Sequence, residues 1–93
     1  MHERYKKIII LERKGRSRWD IILEVLGIIL EENNVKKTRI MQKAYLDWRN
    51  FKRYFDFLLE EGFVAKTNPD EYYELTEKGK ELFRRLNEVK KLV

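Results

Sequence analysis

The sequence predicts an α+β fold that is mostly α-helical, built as one domain of 93 residues. Four segments carry helix signals, either apolar residues at steps of three and four or a capping residue before an apolar run. Between the third and fourth of them, two short runs rich in aromatic and aliphatic residues flank Pro69, which is typical of a β-hairpin. Two neighbouring helices followed by a hairpin form a winged helix-turn-helix, so we predict that arrangement, with a two- or three-stranded wing sheet and a C-terminal helix.

A basic segment, residues 1–16, precedes the first predicted helix and surrounds an apolar run from Ile8 to Leu11. Three consecutive isoleucines favour a strand, which would join the hairpin as the third strand of the wing sheet. The alternative is a basic arm that lies on DNA or on a partner. The predicted organisation is therefore an arm or strand over residues 1–16, a winged helix-turn-helix domain over residues 17–75 and a C-terminal helix over residues 76–93.

The first helix is predicted from Arg18 to Glu32. Ser17 and Asp20 have the spacing of a capping box, although Asp replaces the usual Glu or Gln. The helix is apolar around most of its circumference, so we expect both the core and a second subunit to bury it. Two asparagines, at positions 33 and 34, end it, since Asn tolerates the left-handed conformation that closes a helix.

The next two helices form the predicted helix-turn-helix. Thr38 is the expected N-cap of a short helix that runs to Ala44 or Tyr45, and Asp47 is the expected N-cap of the helix after it. On this third helix, residues at steps of three and four mark one buried face: Phe51, Tyr54, Phe55 and Leu58. Nearly opposite that face, one turn apart, lie Arg49 and Arg53, as a helix that reads the major groove requires.

The predicted wing follows Gly62, which closes the third helix. Residues 63–66 and 72–75 are predicted strands, and residues 67–70 are the turn between them. Three acidic residues in this region make the wing acidic: Asp70, Glu71 and Glu74. Lys66 is the residue that could reach a phosphate from the wing.

The last helix is predicted from the N-cap Thr76 to Leu92. A seam of apolar residues repeats along it at four, three and four, which is compatible with heptad packing against a second copy of the chain: Leu82, Leu86, Val89 and Val93. The seam is shorter than three heptads, so the alternative is that this helix packs on the core of its own domain.

Composition limits the classes of function. The net charge is +5, the sequence pI is about 9.5, and basic and acidic segments alternate along the chain, which predicts a basic face of the kind that binds nucleic acid. There is no cysteine and one histidine, His2, so thiol chemistry is excluded and neither a metal site nor a cofactor is expected. No phosphate-binding loop or acid–base pair indicates an enzyme or a small-molecule substrate. No segment has the length of a membrane span, so we expect a cytoplasmic protein.

Several strings together resemble the small archaeal winged-helix proteins typified by the ten-kilodalton Sulfolobus chromatin proteins: residues 37–41 (KTRIM), 46–48 (LDW), 53–54, 58, 61–64 (EGFV) and 73–82 (YELTEKGKEL). The resemblance covers about residues 20–86. It implies a homodimer that forms through an antiparallel C-terminal coiled coil and binds double-stranded DNA. The C-terminal helix here is shorter than the family's, and residues 1–16 have no counterpart.

The resemblance and the periodicity together indicate a transcriptional regulator or a chromatin-associated protein of the nucleoid. Basic side chains would neutralise phosphates, and Arg or Asn on the third helix would hydrogen-bond base edges. The predicted DNA contacts are Lys36, Lys37, Arg39, Lys43, Arg49, Asn50, Lys52, Arg53 and Lys66. The alternative function is a winged-helix module for protein–protein interaction without direct DNA contact, which the acidic wing and the apolar first helix would suit.

Overall fold

A computed structural model describes residues 17–67 and 71–92. In this part of the chain the elements are, in order, α1 (Arg18–Glu32), α2 (Lys37–Lys43), α3 (Trp48–Glu60), β1 (Val64–Thr67), β2 (Tyr72–Leu75) and α4 (Glu77–Lys91). The predicted mostly helical α+β class and the helix-turn-helix followed by a hairpin are confirmed. Residues 1–16 lie outside the described residues, so the strand and the arm both stay predictions.

Both ends of α1 are where the sequence placed them. The Ser17 hydroxyl accepts a hydrogen bond from the Asp20 backbone N–H at 3.1 Å, and the Asp20 carboxylate accepts one from the Ser17 N–H at 3.3 Å. This reciprocal capping box satisfies two of the free donors at the helix start. Asn33 and Asn34 have φ angles of 55° and 59°, so two consecutive left-handed residues end the helix.

The start of α2 differs from the prediction. The N-cap is Lys36, which provides no side-chain hydrogen bond, and Thr38 lies inside the first turn. The cause is a contact distant in sequence: Val35 exchanges two backbone hydrogen bonds with Tyr73, of 3.1 Å and 2.9 Å. Because the chain is held extended at Val35, the helix begins directly after Lys36.

α3 begins after Asp47, whose carboxylate accepts a hydrogen bond from the Asn50 backbone N–H at 2.8 Å, as predicted. It ends at Glu60, and Gly62 takes a φ of 82° in the turn that follows. Tyr45, in the turn between α2 and α3, also has a left-handed backbone, with φ 56°.

β1 and β2 form an antiparallel hairpin in which Val64 faces Leu75 and Lys66 faces Tyr73. β1 starts one residue later than predicted, because the Phe63 backbone bonds to the residue opposite it, Thr76, through its carbonyl but not through its N–H. The Phe63 N–H donates to the Leu58 carbonyl of α3 at 2.9 Å, and the Phe63 carbonyl accepts from the Thr76 N–H at 3.1 Å. Val35 pairs with Tyr73 of β2 through an isolated antiparallel bridge, next to the two-stranded sheet.

The first turn of α4 is bonded to the end of α3. The Thr76 hydroxyl caps α4 at the Gly79 N–H, at 3.0 Å, and donates to the Gly62 carbonyl at 2.6 Å. The Lys78 ammonium donates to the Glu61 carbonyl at 2.7 Å. These contacts join the C-terminal end of α3 to α4 through backbone atoms.

The core lies between α1, the helix-turn-helix and the inner face of the hairpin. The predicted inward residues of α3 are confirmed, with Tyr54 half-buried, and Ile40 of α2 is completely buried. The largest fully buried side chains are Phe51, Phe55, Ile22, Leu26, Ile29, Ile40, Leu58 and Val25. Phe55 stacks on Phe51 at a centroid distance of 4.9 Å and meets Tyr73 edge-on at 4.8 Å, which ties α3 to the wing. Among the described residues, no helix is long and apolar enough to cross a membrane.

Candidate nucleic-acid interface

The outward side of α3 carries Arg49 and Arg53, both exposed and four residues apart. Residues four apart on a helix lie one above the other, so the two guanidinium groups share one face. Within residues 17–67 and 71–92, neither guanidinium lies within ion-pair distance of a carboxylate. This face of α3 is therefore a positively charged surface whose hydrogen-bond donors point into solvent.

Asn50 and Trp48 occupy the first turn of the same helix. The Asn50 side-chain amide donates to the Asp47 carboxylate at 3.3 Å, so the N-cap fixes the side chain that was predicted to read bases. Trp48 is 52% exposed, and its ring lies 6.0 Å from the Phe51 ring, measured between centroids. Packing of one ring face on Phe51 leaves the rest of the indole exposed at the start of α3.

Lys52 has a partner on its own helix. Its ammonium lies 2.8 Å from the Asp56 carboxylate, one turn further on, and both side chains are well exposed. An exposed pair of this kind contributes only about 0.3–0.5 kcal/mol, so a phosphate can replace the carboxylate at little cost.

Arg39 and Lys43 both bind the carboxylate of Glu32, the last residue of α1. The Lys43 ammonium lies 2.9 Å and the Arg39 guanidinium 3.3 Å from the same Glu32 oxygen. Hydrogen bonds from Lys43, and then from Arg39, lower the pKa of Glu32 below its ordinary value. The outward placement predicted for the two cations is observed, but an intramolecular anion occupies both of them.

Lys36 and Lys37 lie over aromatic rings. The Lys36 ammonium is 5.5 Å from the centroid of the Tyr72 ring in the wing. The Lys37 ammonium is 5.9 Å from the Trp48 ring and 5.8 Å from the Phe55 ring. These cation–π contacts bind the start of α2 to the wing and to α3, in addition to any role toward a ligand.

Lys66 extends from β1 as an exposed side chain. On the same hairpin, Glu71 and Glu74 are exposed as well, while Asp70 lies outside the described residues. The described part of the wing therefore carries one exposed lysine and two exposed glutamates, in agreement with its predicted acidic character.

The predicted dimerisation seam divides into two parts. Leu82 and Leu86 are half-buried against the core of their own domain, as the alternative prediction proposed. Val89 is 58% exposed and Leu92 is 87% exposed, and Val93 lies outside the described residues. The Lys90 ammonium, near the end of α4, lies 3.0 Å from the Asp20 carboxylate in the first turn of α1, so the end of α4 lies beside the start of α1.

Three features of this surface were missed by the sequence reasoning. Tyr45, in the turn between α2 and α3, is 88% exposed, and Trp48 is 52% exposed. The capture of Arg39 and Lys43 by Glu32 was also missed. The residues are seven and eleven positions apart, so only the angle between α1 and α2 brings them together.

Comparison with known proteins gives a consistent result. The model of the winged helix-turn-helix family matches residues 15–93. The uncharacterized protein MJ0287 of Methanocaldococcus jannaschii is 49% identical over 77 residues, which are 83% of this chain and 76% of that protein. Among solved structures, Sso10a-2, a DNA-binding protein from Sulfolobus solfataricus, superposes with a TM-score of 0.70 at 26% identity over 82% of this chain and 80% of that chain. The multiple antibiotic-resistance repressor MarR from Listeria monocytogenes has a TM-score of 0.68 at 18% identity over 91% of this chain and 67% of its own, a likeness of fold alone.

Proposed function

Since this chain belongs to the winged helix-turn-helix family, we propose that it binds double-stranded DNA, as a transcriptional regulator or as a chromatin-associated protein of the nucleoid. The resemblance to small archaeal winged-helix proteins is confirmed by the Methanocaldococcus relative and by the likeness to Sso10a-2. Sso10a-2 is itself a DNA-binding protein, which supports the same role here.

The observation that carries the proposal is the pair of exposed arginines on α3, Arg49 and Arg53. The major groove of B-DNA admits one α-helix, and the second helix of a helix-turn-helix is the one that enters it. Because the opposite side of α3 is buried in the core, the arginine side is the one that a duplex would meet. A guanidinium at this position donates either to a phosphate or, with two parallel bonds, to a guanine edge.

The other basic residues fit a supporting role. Lys36, Lys37 and Lys66 extend the positive surface toward the wing, and Lys52 is held only by an exposed carboxylate. Contacts of this type neutralise phosphates and release counterions, which makes affinity depend steeply on salt. They position the protein on the duplex and carry no sequence information.

The test is fluorescence anisotropy of a labelled random-sequence duplex, titrated at several salt concentrations with wild type and two double variants. One is Arg49→Ala/Arg53→Ala. The matched control is Arg84→Ala/Arg85→Ala, which removes the same two charges from α4, where both arginines bind Glu81. Circular dichroism and a thermal melt establish that each variant is folded.

We expect the α3 variant to bind at least about tenfold more weakly than wild type, with the salt slope reduced by about two. The α4 control should bind within about a factor of two of wild type. Equal losses in the two variants would mean that net charge, and not α3, carries binding. If folded wild type fails to bind any duplex at low salt, the proposal is wrong and the protein-interaction module becomes the better hypothesis.

We also propose that the protein acts as a homodimer through the outer end of α4. Val89 and Leu92 leave apolar surface exposed there, and Trp19, the neighbour in sequence of the Asp20 that binds Lys90, is half-exposed as well. Replacing Val89 by Glu should therefore shift sedimentation-equilibrium molar masses from dimer toward monomer, whereas the exposed polar neighbour variant Asn87→Glu should not. A wild type that is monomeric at tens of micromolar would contradict this part of the proposal.

A further inference from the structure

Glu32 holds two of the cations that a DNA-binding surface would use. One oxygen of its carboxylate accepts from Lys43 at 2.9 Å and from Arg39 at 3.3 Å. Arg39 and Lys43 lie four residues apart on α2, so they form one cationic face that closes onto the end of α1. The arrangement brings two positive side chains to a single negative oxygen.

The chemistry of this contact matches that of a phosphate contact. A carboxylate oxygen and a phosphate oxygen both carry negative charge and accept charge-assisted hydrogen bonds from Arg and Lys. The side chain of Glu32 is 23% exposed, while Arg39 and Lys43 are 56% and 37% exposed. The two cations therefore remain accessible to a second anion that approaches from solvent. The hydrogen bonds also lower the pKa of Glu32, so the carboxylate is charged throughout the neutral range.

The contrast with α3 shows what the contact does. Arg49 and Arg53 meet no carboxylate in the part of the chain that the structure describes, so a phosphate can bind them without displacing one. A phosphate that binds Arg39 or Lys43 must first displace Glu32, or share the cation with it. The same type of side chain therefore contributes differently on the two helices.

We infer that Glu32 competes with DNA phosphates for Arg39 and Lys43, and thereby limits the affinity of the α2 side of the interface. This inference rests on the proposed function. Glu32 would then determine affinity by binding the two cations, in addition to the repulsion between its own charge and DNA. It would do so from α1, outside the helix-turn-helix.

The experiment compares Glu32→Gln with Glu31→Gln in the same anisotropy assay. Glu31 is the exposed neighbour of Glu32, and within the described residues it has no ion pair, so both variants remove one negative charge from the same end of α1. We expect Glu32→Gln to bind about threefold to tenfold more tightly than wild type at low salt, because two exposed ion pairs no longer oppose the phosphate. Glu31→Gln should gain less than about twofold, and the excess gain of Glu32→Gln should shrink as salt rises.

A second background tests whether the gain passes through the two cations. In an Arg39→Ala/Lys43→Ala protein, adding Glu32→Gln should leave the affinity unchanged, because the groups that it releases are absent. A gain in this background that is as large as in wild type would overturn the inference; a gain below about twofold, like that of Glu31→Gln, would reflect only the lost negative charge.

Other outcomes separate this inference from the proposed function. If wild type binds DNA and Glu32→Gln binds as tightly as Glu31→Gln, or more weakly, the competition is wrong while DNA binding stands. If neither wild type nor any folded variant binds, DNA binding itself fails and the inference fails with it.

Discussion

Replacement of Gly79 by alanine tests the close approach of α4 to the backbone of Phe63, which lies directly before β1. Gly79 is buried in the first turn of α4. A Cβ built there would lie well inside the van der Waals distance of the Phe63 carbonyl oxygen and 3.0 Å from its carbonyl carbon. Because these atoms belong to the backbone, they cannot rotate away. The same carbonyl oxygen accepts hydrogen bonds from the Thr76 N–H and hydroxyl, at 3.1 Å and 3.2 Å.

The size of the effect follows from opposing terms. Alanine gains about 1 kcal/mol of helix propensity over glycine. Relieving an overpacked contact costs about 1–3 kcal/mol, and weakening two hydrogen bonds at the shared carbonyl costs about 1 kcal/mol each. The net loss of unfolding free energy is about 2–4 kcal/mol, which lowers the melting temperature of a domain of this size by about 10–20 °C.

Gly27→Ala is the matched control, because it makes the same substitution inside a helix where the obstacle is soft. A Cβ at Gly27 would meet only the edge of the Phe83 ring, at 3.2 Å and 3.7 Å, and that side chain can shift. Differential scanning calorimetry should show Gly27→Ala melting at or above the wild-type temperature and Gly79→Ala melting well below it. If Gly79→Ala is as stable as Gly27→Ala, the close approach of α4 to Phe63 is wrong.

Three further predictions concern stability. Tyr45→Asn should raise the free energy of unfolding in urea by about 0.5 kcal/mol, because Asn tolerates the left-handed φ of 56° better than an exposed tyrosine; a decrease would contradict this. Phe55→Ala should lower it by about 3–5 kcal/mol, since the ring is 1% exposed at the centre of the core; a loss below about 1 kcal/mol would show that the site is not packed as described. Hydrogen bonds from Arg84 and Arg85 lower the pKa of Glu81 from its ordinary 4.5 to about 2, so the stability that this carboxylate contributes is present above pH 4.5 and is lost as pH falls toward 2. Glu81→Gln should flatten that acid limb in melts across pH, more visibly at low than at high salt; an unchanged limb would refute the assignment.

The sequence predicted the features that are encoded locally. Ser17, Asp47 and Thr76 each accept a hydrogen bond from the backbone N–H three positions further on, so a capping residue before an apolar run correctly identified these three helix starts. The buried stripe of α3 was equally accessible, because its period is that of the helix itself. The arginine face of α3 follows from the same periodicity, as the side opposite the stripe.

What the sequence could not give depends on contacts between distant residues. The start of α2 is set by the bridge from Val35 to Tyr73, and no residue near Lys36 signals it. Which cations have partners depends on the angles between elements. Glu32 of α1 binds Lys43, eleven residues later on α2, and Lys37 of α2 lies over the ring of Phe55 on α3. Counting basic residues therefore identified exposed cations on α2 and α3 but overestimated how many of these cations have no partner within the described residues.

The hydrogen bonds between the start of α4 and the turn after α3 have a geometric consequence for a dimer. Lys78 and Thr76 donate to the Glu61 and Gly62 carbonyls, so these hydrogen bonds link the start of α4 to the turn directly after α3. If two chains pair through α4, as proposed, this link constrains the separation and relative rotation of their two α3 helices. Simultaneous entry into successive major grooves on one side of B-DNA requires half-sites about 34–36 Å apart, or multiples of that distance. The distance between repeated sequences in a bound DNA would therefore indicate how the two C-terminal helices pair.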